Sequence, residues 1–141
     1  MQSIYQDGLL TLARHVREQT HSPLVTPTHT AEVNNPVCGD RIRATIITEN
    51  DVIVGTHVEA KGCALCEAGA GLWLNSVLNQ TMSSLPVFHA ALTSWLEGQE
   101  YQNNYVAFSD ELDSFTPVRS IKNRHKCVTL AFSTANKFKR V

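Results

Sequence analysis

Apolar residues in the first half of the chain recur first at helical spacing and then at strand spacing. Between residues 6 and 18, leucine, alanine and valine repeat every three or four positions, which predicts an amphipathic helix. The helix is expected to end before Pro23, and the following stretch, rich in proline and threonine, predicts an extended linker. Residues 31–34, 41–48 and 52–59 predict three strands, with a tight polar turn at residues 49–51. An antiparallel meander is the simplest topology for these strands.

After Gly62 the pattern becomes helical. Residues 64–79 are rich in alanine and leucine and predict a helix whose buried side chains are Leu72, Trp73, Val77 and Leu78. Residues 85–96 predict a second amphipathic helix, residues 99–117 an irregular stretch with room for a short helix, and residues 126–138 a closing helix. Strands followed by helices indicate an α+β fold, a three-stranded antiparallel sheet with helices packed on one face. We expect one domain over residues 1–141.

Composition narrows the class of protein. Of the 141 residues, 43% are hydrophobic and 18% charged, as in an ordinary globular protein. The net charge of −1 gives no basic field for phosphate backbones, so no nucleic-acid partner is expected. No apolar run approaches the roughly 18 residues that span a bilayer, and the N-terminal stretch lacks the pattern of a secretory signal. We therefore expect a cytoplasmic protein without membrane contacts, whose four cysteines bind metal or react rather than form disulfides.

Three of the four cysteines have distinctive neighbours. Cys38 lies in Asn-Pro-Val-Cys-Gly-Asp, Cys63 in Lys-Gly-Cys-Ala, and Cys127 in Arg-His-Lys-Cys. Thiolates bind zinc and iron–sulfur clusters strongly, and Asp40 would complete a set of four ligands. Gly39, between Cys38 and Asp40, suits a turn that requires positive φ. Cys63 and Cys127 are expected near helix N-termini, where the helix dipole and neighbouring lysine and arginine residues would lower a cysteine pKa.

The remaining cysteine and two histidines leave alternatives open. Cys66 forms a Cys-x-x-Cys with Cys63, which is typical of half a zinc knuckle, of a redox pair, or of accidental neighbours on one helix face. His57 and Glu59, just upstream, resemble half of a zinc-deaminase signature. Too few residues separate Glu59 from Cys63 to place the two halves on separate helices, so we interpret His57 as a strand residue. His125, two positions before the last cysteine, stays a candidate for a role at the site.

In this order, the three cysteine motifs resemble the U-type iron–sulfur cluster assembly scaffold family, which includes IscU, SufU and the N-terminal domain of NifU. The resemblance covers roughly residues 31–135. The long segment between Cys63 and Cys127, and Arg124 and Lys126 before the last cysteine, are similar to the SufU branch. The IscU branch places a histidine directly before that cysteine. The family usually has serines after the second cysteine, where this chain has Cys66.

The resemblance implies a SufE/IscU-like fold and a ligand pocket of Cys38, Asp40, Cys63 and Cys127. A cysteine desulfurase that uses pyridoxal phosphate (PLP) would deliver sulfane sulfur, with Cys127 or Cys38 as the acceptor. A transient [2Fe–2S] cluster would then be assembled and passed to apo-proteins. SufU-type members bind zinc at these positions, so Zn²⁺ is expected in the purified protein. Such a protein is a scaffold or sulfur carrier rather than a turnover enzyme. The alternatives are zinc-dependent sulfur transfer, a structural zinc protein and a Cys63/Cys66 thiol–disulfide enzyme.

Overall fold

The computed structural model describes residues 3–19, 26–100 and 106–141. The helices and strands are, in chain order, α1 (Ser3–Arg17), β1 (His29–Asn35), β2 (Asp40–Glu49), β3 (Val52–Lys61), α2 (Ala64–Val77), α3 (Leu85–Leu96), α4 (His125–Thr129) and β4 (Lys139–Arg140). Short 3-10 helices cover Met82–Ser84, Asp110–Ser120, Lys122–Arg124 and Phe132–Asn136. Part of the predicted linker, residues 20–25, lies outside the described residues.

The sheet contains the predicted meander and one further strand. Its order is β3-β2-β1-β4, with β1, β2 and β3 joined as consecutive antiparallel neighbours. Asn50 and Asp51 form the turn between β2 and β3 with φ of 52° and 67°, a left-handed conformation that Asn and Asp tolerate. At the other edge, His29 pairs with Arg140 and Thr30 with Lys139. The described sheet therefore has four strands, where the sequence predicted three.

Helices cover one face of this sheet, as predicted. In β2, Ile42, Ala44 and Ile46 are completely buried, while Arg41 and Arg43, which alternate with them, are exposed. This alternation is the signature of a strand with one buried face. α1 packs on α2, and α2 contacts β3, so the core lies between the sheet and these helices. The predicted α+β fold is confirmed.

Two glycines of α2 allow neighbouring backbones to approach it closely. A Cβ atom on Gly69 would collide with the carbonyl oxygen of Val128 in α4, and one on Gly71 with the carbonyl oxygen of Leu12 in α1. Glycine, which has no Cβ, is the residue that permits such contacts. α2 is therefore the element against which both α1 and α4 are positioned.

The C-terminal segment departs from the predicted helix over residues 126–138. α4 ends at Thr129 and is followed by the 3-10 helix Phe132–Asn136. The Ser133 hydroxyl donates to the carbonyl of Leu130, and the Thr134 hydroxyl donates to the carbonyl of Ala131 at 2.6 Å. Hydroxyls that bond the carbonyls three residues back compete with regular helix bonds. The helix therefore tightens and ends early, which frees the chain to form β4.

Four further predictions have different outcomes. Leu78, predicted to be buried, is 43% exposed because it is the extended C-cap of α2. The irregular stretch contains the 3-10 helix Asp110–Ser120. Among the described residues, every helix falls short of the length and apolar character that crossing a membrane requires. The single domain over residues 1–141 stays a prediction.

Candidate metal centre

The turn between β1 and β2 positions the first two candidate ligands. Asn35, the last residue of β1, pairs with Asp40, the first residue of β2, and its carbonyl accepts a 2.8 Å hydrogen bond from the amide of Gly39. Gly39 has a φ of 77°, the left-handed conformation expected from the sequence. As a result Cys38 lies exposed in the turn, whereas Asp40 is only 2% exposed.

The other two candidate ligands lie at the starts of helices, as predicted. Cys63 is the N-cap of α2, with an extended backbone, and its carbonyl accepts the first helical hydrogen bond, from the amide of Glu67 at 3.1 Å. Its side chain is half-buried. Cys127 lies in the single turn of α4, which begins at His125, and is 2% exposed. The fold thus brings residues that are distant in sequence to one end of the sheet.

The Asp40 carboxylate lies at the centre of this group. Its Oδ2 is 2.9 Å from the Cys38 Sγ and 3.8 Å from the Cys63 Sγ, and its Oδ1 accepts a 3.1 Å hydrogen bond from the Cys63 amide. The ligand atoms of Cys38, Asp40 and Cys127 lie within 4.8 Å of one another. The Cys127 thiol also hydrogen-bonds to Asp40 and to Cys63. The sulfur atoms of Cys38 and Cys127 and the Asp40 carboxylate thus lie where one ion could contact all three. Cys63 is not within that set of three, but its Sγ lies 3.8 Å from the same carboxylate.

Gly62 is a site residue to which the sequence pattern assigned no role. A Cβ atom at this position would lie 2.6 Å from the Asp40 Cγ and would collide with Oδ1. Only glycine leaves room for the carboxylate here. The sequence does place Gly62 directly before Cys63. That position alone does not indicate that the Asp40 carboxylate fills the space where a Cβ atom would lie.

The surroundings lower the pKa of Asp40 and raise the pKa of Cys127. Burial raises the Asp40 pKa, but hydrogen bonds from the Cys38 thiol, the Cys63 amide and the Cys127 and Cys63 thiols outweigh it, so the pKa lies below its usual value. Burial raises the pKa of Cys127 to about 12, with further contributions from hydrogen bonds to, and the charges of, Cys63 and Asp40. The predicted lowering of the Cys127 pKa by the helix N-terminus is therefore wrong for the metal-free site. Here a metal ion would have to displace the thiol proton.

Cys66 and the two histidines lie outside this group of ligand atoms. Cys66 is 1% exposed on α2, and burial raises the pKa of its thiol to about 12. All four cysteines are free thiols in the structure. His57 pairs with Thr45 within the sheet, as the strand interpretation predicted. The Nε2 atom of His125 lies 3.0 and 3.1 Å from the carbonyl oxygens of Val118 and Arg119 in the 3-10 helix Asp110–Ser120, so this ring contacts backbone rather than the ligand atoms.

Comparison with known proteins supplies an independent assignment of the family. The sequence pattern of the NifU-like N terminal domain matches residues 5–91 of the 141. The zinc-dependent sulfurtransferase SufU of Bacillus subtilis (strain 168) is 23% identical over 123 residues, which cover 87% of this chain and 82% of the relative. The iron–sulfur cluster assembly scaffold protein IscU of Streptococcus pyogenes serotype M1 is 23% identical over 125 residues, 89% of this chain and 77% of the relative.

The fold agrees with these sequence matches. The crystal structure of a nitrogen-fixing NifU-like protein (N-terminal) from Brucella abortus superposes with a TM-score of 0.78 at 25% identity, covering 95% of this chain and 91% of that one. The α+β architecture inferred from the sequence is thus shared with a solved member of the family. Sequence match and fold together show that the chain belongs to the NifU-like N-terminal domain family of iron–sulfur cluster assembly scaffolds, the family that its cysteine motifs resemble.

Proposed function

We propose that this protein accepts sulfane sulfur from a PLP-dependent cysteine desulfurase and assembles or transfers a [2Fe–2S] cluster on Cys38, Asp40, Cys63 and Cys127. The convergence of three thiols on one buried carboxylate carries the proposal. The two relatives support it, because one is named as a zinc-dependent sulfurtransferase and the other as a cluster assembly scaffold. Cysteine thiolates are suitable ligands both for a zinc ion and for an iron–sulfur cluster.

The two acceptor candidates differ in exposure. Cys38 is exposed and follows Val37, which is 92% exposed, whereas Cys127 is 2% exposed. A thiol has to reach the terminal sulfur of a persulfide on another protein, so Cys38 is the better first acceptor. Its thiolate attacks that sulfur, the S–S bond of the donor breaks, and the donor cysteine leaves as a thiolate. The sulfane sulfur is then held as a persulfide on Cys38, with no net oxidation.

The chemistry of the ligand set suits both a resident ion and a transient cargo. Three cysteine thiolates and one carboxylate complete the tetrahedral set that Zn²⁺ prefers, and a bound zinc would keep the thiolates ionised and ordered. For an iron–sulfur cargo, the hard oxygen of Asp40 is the weakest ligand of the four. A set with one weak member suits a cluster that is made to be handed on.

Elemental analysis and an absorption spectrum of protein purified without oxygen test this proposal. We expect Cys38→Ser, Cys63→Ser and Cys127→Ser each to lose most of the metal, because each removes one ligand of four. His125→Ala is the matched control, since this ring bonds to backbone carbonyls, and it should keep its metal. Full metal retention in all three cysteine variants would reject the assignment.

The rate of a cysteine desulfurase separates the proposal from its alternatives. A scaffold that accepts sulfur accelerates cysteine turnover by the desulfurase, and Cys38→Ser should abolish that acceleration. A structural zinc protein would leave the rate unchanged whether it is added or withheld. A thiol–disulfide enzyme using Cys63 and Cys66 would keep its activity after loss of Cys38 and Cys127.

A further inference from the structure

Cys66 is a thiol that the proposed ligand set does not use. It lies in the first turn of α2, three residues after the N-cap Cys63. Cys63 is the N-cap and Cys66 the third residue of the helix, two positions whose side chains reach toward each other across the first turn in a capping box. A disulfide spans about 3.8 Å between Cβ atoms, so the two sulfurs can bond once the first turn adjusts.

The two cysteines differ in exposure in the way that a reactive Cys-x-x-Cys pair requires. Cys63 is half-buried at the helix end, and Cys66 is 1% exposed beneath it. In thiol–disulfide sites of this spacing, the outer cysteine forms the covalent species with the substrate and the inner one attacks it. Cys66 is thus placed to react with a sulfur atom carried on Cys63 and with little else.

Sulfane sulfur can reach Cys63 from the exposed entry point. The Sγ atoms of Cys38 and Cys63 both contact Oδ2 of Asp40, at 2.9 and 3.8 Å. The Cys63 thiolate can therefore take the terminal sulfur from a Cys38 persulfide, which leaves Cys38 as a thiolate and Cys63 as the persulfide. Cys38 is exposed, Cys63 is half-buried and Cys66 is buried. A sulfane sulfur passed from Cys38 to Cys63 therefore comes closer to the buried thiol of Cys66.

Cluster assembly also needs electrons. Sulfane sulfur has oxidation state zero, whereas the sulfur in a [2Fe–2S] cluster is sulfide, so each atom must gain two electrons. Two thiols that become a disulfide supply two electrons. Cys63 and Cys66 can therefore supply the electrons for one sulfur atom in each cycle.

Building on the proposed function, we propose that Cys66 reduces the sulfane sulfur held on Cys63 to hydrosulfide. The sulfur of Cys66 attacks the Sγ of Cys63, and the bond from that Sγ to the terminal sulfur breaks. The terminal sulfur leaves with the bonding pair and the thiol proton of Cys66, as hydrosulfide, and the Cys63–Cys66 disulfide forms. An external dithiol then reduces this disulfide by thiol–disulfide exchange and restores both thiols.

The test loads the full chain with sulfane sulfur by two routes and follows its fate without added thiol. One sample receives a PLP-dependent cysteine desulfurase and cysteine; the other receives inorganic polysulfide and is desalted. Mass spectrometry of intact protein and peptides reports persulfide and disulfide, and a trapping reagent reports hydrosulfide. The parent protein should release one hydrosulfide for each Cys63–Cys66 disulfide. Cys66→Ser should hold its persulfide at least about tenfold longer, because an intramolecular attacking group is lost.

Ala70→Ser is the matched control, because Ala70 is completely buried one turn further along α2 and both thiols remain. This variant should release hydrosulfide at the parental rate. Equal persulfide lifetimes in the parent and Cys66→Ser, or hydrosulfide without the disulfide, would overturn the inference. If polysulfide loads the protein and the desulfurase does not, the proposed donor is wrong, and the polysulfide sample alone decides the role of Cys66. If polysulfide places no sulfur on Cys63 of Cys66→Ser, the inference is also overturned.

Discussion

Gly62→Ala tests whether the space beside Asp40 positions a metal ligand. The new Cβ atom would lie 2.6 Å from Cγ and 2.9 Å from Cβ of Asp40, whereas unstrained carbon contacts are about 3.5–4.0 Å. The backbone must therefore shift to separate the two Cβ atoms, and the Asp40 side chain must rotate away from Gly62. In doing so it loses the 3.1 Å hydrogen bond from the Cys63 amide and its approach to the thiols.

Both the zinc affinity and the stability of the protein are expected to fall. Removing a group that orients a metal ligand typically costs about 10–100-fold in affinity, which corresponds to about 1.4–2.7 kcal/mol. Gly62 is not one of the described glycines with positive φ, so the cost to stability comes from the contact with Asp40 and not from the φ angle. Overpacking and the loss of a hydrogen bond to a buried carboxylate each cost about 1–3 kcal/mol, so we expect the free energy of unfolding of the metal-free protein to fall by at least about 1 kcal/mol.

Competition with a chromophoric zinc chelator measures the affinity, and denaturant titration of the metal-free protein measures the stability. Gly55→Ala is the matched control, because Gly55 lies in β3, away from Asp40, and the nearest atoms to its added Cβ belong to the Ile47 side chain, at 3.3 Å. It should keep the parental zinc affinity. Parental affinity in Gly62→Ala would refute the reasoning, since Asp40 would then not need its present position to hold the ion.

Two further predictions concern packing and pH. Gly69→Ala and Gly71→Ala should each lower the free energy of unfolding by about 1–3 kcal/mol through overpacking of α2, measured by denaturant titration. Only Gly69→Ala should also weaken zinc binding, because its neighbour Val128 adjoins Cys127; unchanged affinity would contradict this. His89 is half-buried, and burial lowers its pKa below 6.5, so its contribution to stability is present above pH 6.5 and lost as pH falls through the folded-state pKa. Unfolding titrations over a pH series should show this loss in the parent and a flatter profile in His89→Gln; identical profiles would contradict it.

Local sequence signals were sufficient for the parts of the site that depend on neighbouring residues. The Cys-Gly-Asp tripeptide predicted a turn with a left-handed Gly39 and two ligands on either side of it, because the conformational freedom of glycine is a local property. The change from alternating to helical periodicity after Gly62 placed Cys63 at the start of a helix. In both cases the chain itself fixes the position, whatever packs against it.

Features that depend on tertiary contacts could not be read from the sequence. β4 has only two residues, too few to show alternation, and it exists because β1 offers it an edge. Gly62 and Gly69 matter through atoms that are distant in sequence, the Asp40 carboxylate and the Val128 carbonyl. The raised pKa of Cys127 likewise follows from burial by other elements, which outweighs the helix dipole that the sequence suggested.

The close approach of α4 to α2 at Gly69 gives the binding pocket a mechanical property. An ion bound by Cys127, by Asp40 of β2 and by Cys63 at the start of α2 would hold the five-residue helix α4 against the rest of the molecule. This coupling is reciprocal. If the bound ion stabilises the docked position of α4 by a given free energy, then undocking of α4 weakens ion binding by the same free energy. Release of a bound ion or cluster would then require no hinged lid, because undocking of α4 alone would remove the Cys127 ligand.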